Sequence, residues 1–296
     1  MAFWLLALVV AIPLGLDLYM PVPDENPLTR EKVELGRRLF RERRLSRDRS
    51  IACSSCHDPD RAFSDGRPVA IGINRQVGRR SAPALVNRGY GRVFFWDGRA
   101  VSLEEQVLQP IQDPKEMNMT LAEASARVGL PSGDISRALA SYVRSILSGN
   151  APFDRFTNGD RRALSSEQQA GLRVFRGKGN CTACHVGPNF TDERFHNTGV
   201  AWPDGSLLDE GRSAVTGAME DRGAFKTPTL REIARTAPYM HDGSLVSLDE
   251  VVEYYDRGGH SNPGLDSELR TLKLTASEKR SLVAFLHTLS GTVSGR

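Results

Sequence analysis

The chain has 296 residues, 40% of them hydrophobic and 25% charged, with a net charge of +3. That length and composition suit two ordinary domains of a soluble globular protein. The charge is only mildly positive, and no run of Lys and Arg is interleaved with aromatics, so no nucleic-acid partner is expected.

Residues Phe3 to Ile12 form the apolar run FWLLALVVAI. A spanning helix needs about 20 such residues. The run instead suits the apolar centre of a secretory signal. No Lys or Arg precedes it and no clean A-x-A site follows. Residues 1–20 therefore read as a signal peptide or an uncleaved N-terminal anchor, and the expected location is the periplasm. A Pro-rich spacer from Pro21 to Pro27 leads to a helix from Thr29, with Glu31 in its first turn and Leu35, Leu39 and Phe40 along it.

Cys53-Ser54-Ser55-Cys56-His57 comes next. Two cysteines at this spacing, followed by histidine, are the c-type haem attachment signature. The thiols reach the two vinyl groups of one porphyrin, and the next residue sits under the iron as a proximal ligand. Asp58 to Tyr90, rich in Gly, Pro, Arg and Asn, reads as a long ordered loop. A short helix runs from Leu103 toward Leu108 and stops before Pro110. Asp134 to Leu147 reads as a helix capped by Asp134, with Ile135, Leu139, Val143, Ile146 and Leu147 at helical spacing. Asn150 to Arg162 reads as a linker.

The second half repeats the first. Ser165-x-x-Gln168 is a capping box. Gly171-Leu172-Arg173-Val174-Phe175 echoes Gly36-Arg37-Arg38-Leu39-Phe40, and each phrase precedes a C-x-x-C-H, the second being Cys181-Thr182-Ala183-Cys184-His185. The two motifs use all four cysteines of the chain. A zinc ribbon would place its pairs closer together, a thioredoxin-like motif explains one C-x-x-C, and structural disulfides need no histidines. Two covalently bound haem c groups are therefore expected, on a duplicated cytochrome c-like unit. Ser247-x-x-Glu250 and Thr275-x-x-Glu278 read as further capping boxes, the last helix carrying Leu282, Phe285, Leu286 and Leu289. Strand signals are few. The expected fold is mainly α: two cytochrome c-like haem domains packed together, residues 28–150 and 163–292.

The ordered phrases C-x-x-C-H, Phe95-Trp96-Asp97-Gly98-Arg99, Glu105-Gln106-x-x-x-Pro110, Pro114-x-Glu116-Met117, the second C-x-x-C-H, Thr227-Pro228-Thr229-Leu230-Arg231 and Pro238-Tyr239-Met240-His241-Asp242-Gly243 resemble the bacterial diheme cytochrome c peroxidase / MauG family. The likeness runs from about Leu35 to Leu289. It implies an oxidoreductase that reduces hydrogen peroxide to water with electrons passed through the second haem. It implies that His57 is the proximal ligand of the peroxidatic haem, with Gln106, Pro110 and Glu116 on its distal side. Trp96 would lie between the haems, and His185 would be the proximal ligand of the electron-transfer haem. The chemistry agrees. A carboxylate serves as general acid and base in peroxide cleavage. Glutamine orients peroxide, proline crowds the site without donating, and tryptophan offers an oxidisable stepping stone. Taken alone, Glu116 would read as a solvated charge and Trp96 as a core aromatic; the order of the motifs reverses that reading.

Two positions depart from the peroxidase pattern. Many members carry a histidine that caps the peroxidatic iron until the other haem is reduced; here Ile73 stands there. A five-coordinate first haem that needs no reductive activation is the expectation. Classical members ligate the second haem with methionine; here Tyr255 falls at that position, as in MauG, with Met240, Met219 and His260 as rivals. A phenolate favours oxidised iron and lowers the potential. The resemblance also implies one Ca²⁺ between the haems, held by the carbonyls of Thr236 and Pro238 and a side chain at position 81. Ser81 replaces the family's asparagine there and is the poorer donor. His196 matches a histidine of relatives, His241 reads as structural or as a haem-propionate contact, and His287 as surface. The surface tryptophan that precedes MauG's second motif has no counterpart in Gly177–Asn180.

The implied partners are hydrogen peroxide and a small cytochrome c or copper-protein electron donor, or else an oxidisable protein substrate. The competing readings are a MauG-like oxidase that modifies a protein and a non-catalytic diheme electron carrier.

Overall fold

The computed structural model describes residues 10–295. Most of the expected export run therefore lies outside the described residues. Among the described residues no helix is long and apolar enough to cross a membrane.

Thr29 accepts a hydrogen bond from the Lys32 amide and opens α1, Arg30–Phe40. From there to Leu103 the chain forms only single 3-10 turns, as the Gly- and Pro-rich composition led us to expect. α2, Leu103–Gln106, is followed at once by α3, Gln109–Gln112. Pro110 lies beyond the end of α2, as expected, and inside the first turn of α3, where its missing N–H costs nothing. Thr120 and Glu123 form a capping box for α4, Leu121–Val128, an element the sequence reading missed. α5 spans Ser132–Arg144. It starts earlier than expected: Pro131 is the cap, and Asp134 sits in the first turn, paired with Arg137 at 2.7 Å. It also stops short of Leu147, because Ser148–Gly149 forms strand β1.

The expected linker contains α6, Pro152–Thr157, which buries Phe153 and Asp154. The Ser165–Gln168 capping box opens α7, Ser166–Arg176. Short elements follow: β2, Phe195–His196; α8, Ser213–Thr216; and β3, Phe225–Lys226, antiparallel to β2. Ser247 caps α9, Leu248–Asp256, but Glu250 reaches back to the Val246 amide and not to that of Ser247. α10, Ala276–His287, has the full Thr275–Glu278 box. Finally β4, Thr292–Val293, pairs antiparallel with β1. Among the described residues the fold is mainly helical, with two two-stranded ribbons.

Two hydrophobic clusters repeat one plan. In the first, α1 crosses α5 so closely that a Cβ on Gly36 would overlap the Ala138 carbonyl. In the second, α7 crosses α10, and a Cβ on Gly171 would overlap the Ser281 carbonyl. This accounts for the glycine that opens both repeated phrases. The phenylalanine that ends each phrase fills the crossing. Phe40 meets Tyr142 at 5.0 Å and Phe63 at 6.1 Å. Phe175 meets Phe285 at 5.1 Å and Phe190 at 6.1 Å. Edge and tilted aromatic contacts of this kind add to area burial.

Ion pairs sheltered from solvent brace the fold, both within the second half and between the halves. Arg231 and Asp154, both with 1% exposed side chains, pair at 2.7 Å, and Arg231 also donates to the Gly15 carbonyl. Arg80 joins Asp97 at 2.6 Å to Asp209 at 2.7 Å, and Arg88 joins Glu193 at 2.7 Å. Val293, from the end of the chain, packs in the first cluster.

Candidate functional site

Each C-x-x-C-H begins on a 3-10 turn, Cys53–Ser55 and Cys181–Ala183. The His57 amide donates to the Cys53 carbonyl at 3.0 Å, and the His185 amide to the Cys181 carbonyl at 2.9 Å. This winding brings cysteines and histidine to one side. The imidazole is fixed the same way in both halves. Nδ1 of His57 lies 3.0 Å from the Phe63 carbonyl, and Nδ1 of His185 lies 2.8 Å from that of Phe190. A carbonyl only accepts, so Nδ1 carries the hydrogen and Nε2 keeps a free lone pair for a metal. Burial pushes the pKa of both rings down, which keeps them neutral and able to ligate.

All four cysteines are free thiols, and both motifs line one continuous cavity of ≈ 890 Å³. The donor set fits two haems: paired thiols on a tight turn, a neutral imidazole beside them, and a largely apolar wall that includes Phe40, Leu139, Leu248 and Leu286. Arg80, Arg88, Lys226 and Arg231 also line the cavity and offer cations to propionates.

Trp96, Gln106, Pro110 and Glu116 line the same cavity as the first motif. Burial pushes the Glu116 carboxyl up to about 7; Asp113 adds to the rise and Arg99 opposes it. Its backbone is pinned on both sides, the amide donating to the Asp113 carbonyl at 3.0 Å and the carbonyl accepting from the Ile73 amide at 2.9 Å. Ile73 is 1% exposed and is absent from the cavity wall, which its neighbours Ile71 and Gly72 line. Trp96 stands where the halves meet. Its indole N–H donates to the Ser81 carbonyl at 2.8 Å, and its own carbonyl accepts from the Lys226 amide at 2.8 Å.

Tyr255 lines the same cavity on the side of the second motif. Burial pushes its phenol pKa up, and the Cys184 and Cys181 thiols beside it add to the rise. Of its rivals, Met240 also lines the cavity, whereas Met219 is 71% exposed and neither it nor His260 reaches the wall.

Residues 30–132 match the model of the family described as di-haem cytochrome c peroxidase. Methylamine utilization protein MauG of Methylorubrum extorquens is 40% identical over 288 residues, covering 91% of this chain and 81% of that protein. A cytochrome-c peroxidase of Denitromonas iodatirespirans is 37% identical, covering 91% and 84%. The chain belongs to the di-haem cytochrome c peroxidase family. A solved MauG-like protein associated with microbial copper homeostasis superposes with a TM-score of 0.85 at 34% identity, covering 94% of each chain. Membership makes this protein a haem-dependent oxidoreductase with two haem groups and peroxide as substrate.

Ser81, Thr236 and Pro238 line the cavity together. His196 also lines it, held between Asp266 at 2.6 Å and Asp192 at 3.0 Å. His241 is buried and stacked on Phe225 at 3.7 Å. His287 is exposed. Sequence reasoning missed the buried cations. Burial pushes Lys226 down to about 8, and its ammonium lies 3.6 Å from Glu193. Nothing in the local sequence around Lys226 marks it as buried, because its ion-pair partner Glu193 comes from a distant segment.

Proposed function

We propose that this protein is a periplasmic diheme peroxidase whose first haem is open in the diferric state. The observation that carries the reading is the placement of Glu116: a carboxyl with a pKa of about 7, in the wall of the cavity that both C-x-x-C-H motifs line. In this reading residues 28–150 carry the peroxidatic haem on Cys53, Cys56 and His57. Residues 163–292 carry the electron-transfer haem on Cys181, Cys184 and His185. The iron, when bound, supplies the redox centre for two-electron reduction of peroxide.

The side chains do the rest. Glu116 starts ionised, takes the proton from one peroxide oxygen and returns it to the other, which leaves as water. A pKa close to neutrality suits both halves of that cycle. Gln106 orients the peroxide through its amide. Pro110 occupies space beside the metal and offers no donor. Ile73 has no group that ligates iron and is buried outside the cavity wall, which supports a first iron without a protein cap on that side. Trp96, bonded to both halves, is positioned to pass electrons between them. Tyr255 is the sixth ligand of the second haem. Ser81, Thr236 and Pro238 are the calcium donors. A small cytochrome c or copper protein is the electron donor.

A second reading, MauG-like oxidation of another protein, draws support from Tyr255, since a phenolate stabilises oxidised iron. The test is stopped-flow absorbance after one equivalent of peroxide is added to the diferric protein without reductant. A rapid, homogeneous Soret change is the expected result. No change until one haem is reduced would mean that a protein ligand caps the first iron, and the open-site reading would fail.

A further inference from the structure

Reduction of peroxide consumes two protons with its two electrons: H₂O₂ + 2 H⁺ + 2 e⁻ gives 2 H₂O. The electrons arrive through the second haem, but the protons and the peroxide need their own route to Glu116. The porphyrin held by Cys53 and Cys56 will fill much of the large cavity, and that cavity's wall is largely apolar.

A second, smaller cavity of ≈ 310 Å³ also has Glu116 in its wall. Its lining is Arg99, Gln109, Gln112, Asp113 and Glu116. Every one of these side chains is an amide, a guanidinium or a carboxylate. Three of them, Arg99, Asp113 and Glu116, also line the large cavity, so they form a shared partition. Gln112 and Arg99 are exposed, so the space opens to solvent. Arg99 is held in place on several sides: its guanidinium donates to Asp97 at 2.9 Å and to Gln109 at 3.1 Å, and stacks over Phe95 at 3.5 Å. Asp113 accepts from the Lys115 amide at 2.7 Å, which fixes the turn that carries Glu116. Gln112 is held only by one bond from its amide to the Leu108 carbonyl, at 3.2 Å.

We propose that this cavity is the port through which hydrogen peroxide and protons pass between solvent and the first haem, with Glu116 as its inner wall and Gln112 at its mouth. The chemistry of the lining fits the passenger. Peroxide is small and uncharged, and it both donates and accepts hydrogen bonds. The glutamine amides do the same. Asp113 and Arg99, which line the space together with Glu116, supply an acceptor and donors beside it. The lining gives no apolar footing, so bulky organic hydroperoxides should enter poorly. The proposal rests on Glu116 lying on the distal side of the first haem.

The experiment measures cyanide binding to the ferric holoprotein by stopped-flow, for wild type, Gln112→Trp and Gln112→Ala. Cyanide reports entry to the iron without turnover. A plug at the mouth slows entry and exit alike. Gln112→Trp is therefore expected to lower the on-rate and off-rate together, on the order of tenfold, with the dissociation constant unchanged. Gln112→Ala should raise both. The rate of reaction with peroxide should follow the on-rate across the three proteins. Equal on-rates in all three would overturn the port. So would a change in the dissociation constant carried by one rate alone, because that marks an altered iron site and not an altered path. If the diferric wild type binds no cyanide, the open-site reading fails by itself. The same series is then run on the half-reduced protein, in which a capped family member is open, and the same outcomes decide the port.

Discussion

The two C-x-x-C-H regions share a proximal side and differ in what faces it. In both, a glycine lets two helices touch, a phenylalanine fills the crossing, and a second phenylalanine lends its carbonyl to the histidine ring. Even the backbone agrees: Phe63 and Phe190 both have positive φ, 59° and 52°, which turns each carbonyl inward. The walls opposite them diverge in the proposed reading: Glu116, Gln106 and Pro110 serve the first haem and Tyr255 the second, and all four line the cavity. The comparison teaches that the repeated helices and turns supply a way of holding a haem, while the reaction is assigned by the few residues that face it.

The largest effect should come from breaking the first wall. Glu116→Gln removes the group that moves the proton and should slow the reaction with peroxide by about 10² to 10⁴-fold. The wild-type rate should rise with pH and level off above about 7, because the carboxylate is the active base and burial raises its pKa to about 7. The variant should lose that dependence. Stopped-flow rates across pH 5 to 9 would check both. A variant that reacts as fast as wild type would remove Glu116 from the mechanism.

The shared scaffold can be probed next. Gly36→Ala and Gly171→Ala each force a methyl group against a carbonyl at a helix crossing. Each should cost about 1–3 kcal/mol, as overpacking does. Urea unfolding of the holoprotein would measure it. Similar losses would support equivalent crossings; a loss at one site only would break the equivalence.

The smallest expected effect is at the second wall. Tyr255→Met should raise the potential of the second haem, on the order of 50 mV, a small part of the roughly 0.8 V that axial ligands span. Spectroelectrochemical titration would read it. An unchanged potential would pass the ligand role to another residue, with Met240 the first to test.

Much of this was legible in the sequence because it is local. A C-x-x-C-H turn brings its three side chains together within five residues, whatever the rest of the chain does. The caps at Thr29, Ser165 and Thr275 are likewise set by residues three apart. The errors were also local in kind. Asp134 resembles a cap, but Pro131 starts α5 and Asp134 turns to Arg137. The stretch Asn150 to Arg162 has linker composition, yet α6 forms there: Pro152 opens it, and Asp154 accepts from the Ala151 amide at 2.8 Å while pairing with Arg231 from far along the chain.

By itself, then, the sequence determined two haem-binding turns, the helices that precede them and the order of residues along the distal segments. Those features depend on short spacings and on capping chemistry, which are written in neighbouring residues. Only the tertiary structure decided which side chains share a cavity, that Glu116 is buried enough to hold its proton near neutrality, and that Ile73 turns away from the wall. It also decided that Lys226 is buried and that Arg80 is half-buried between Asp97 and Asp209. Burial and Coulomb interaction depend on the distance between segments in space, and the separation of residues along the chain does not fix that distance.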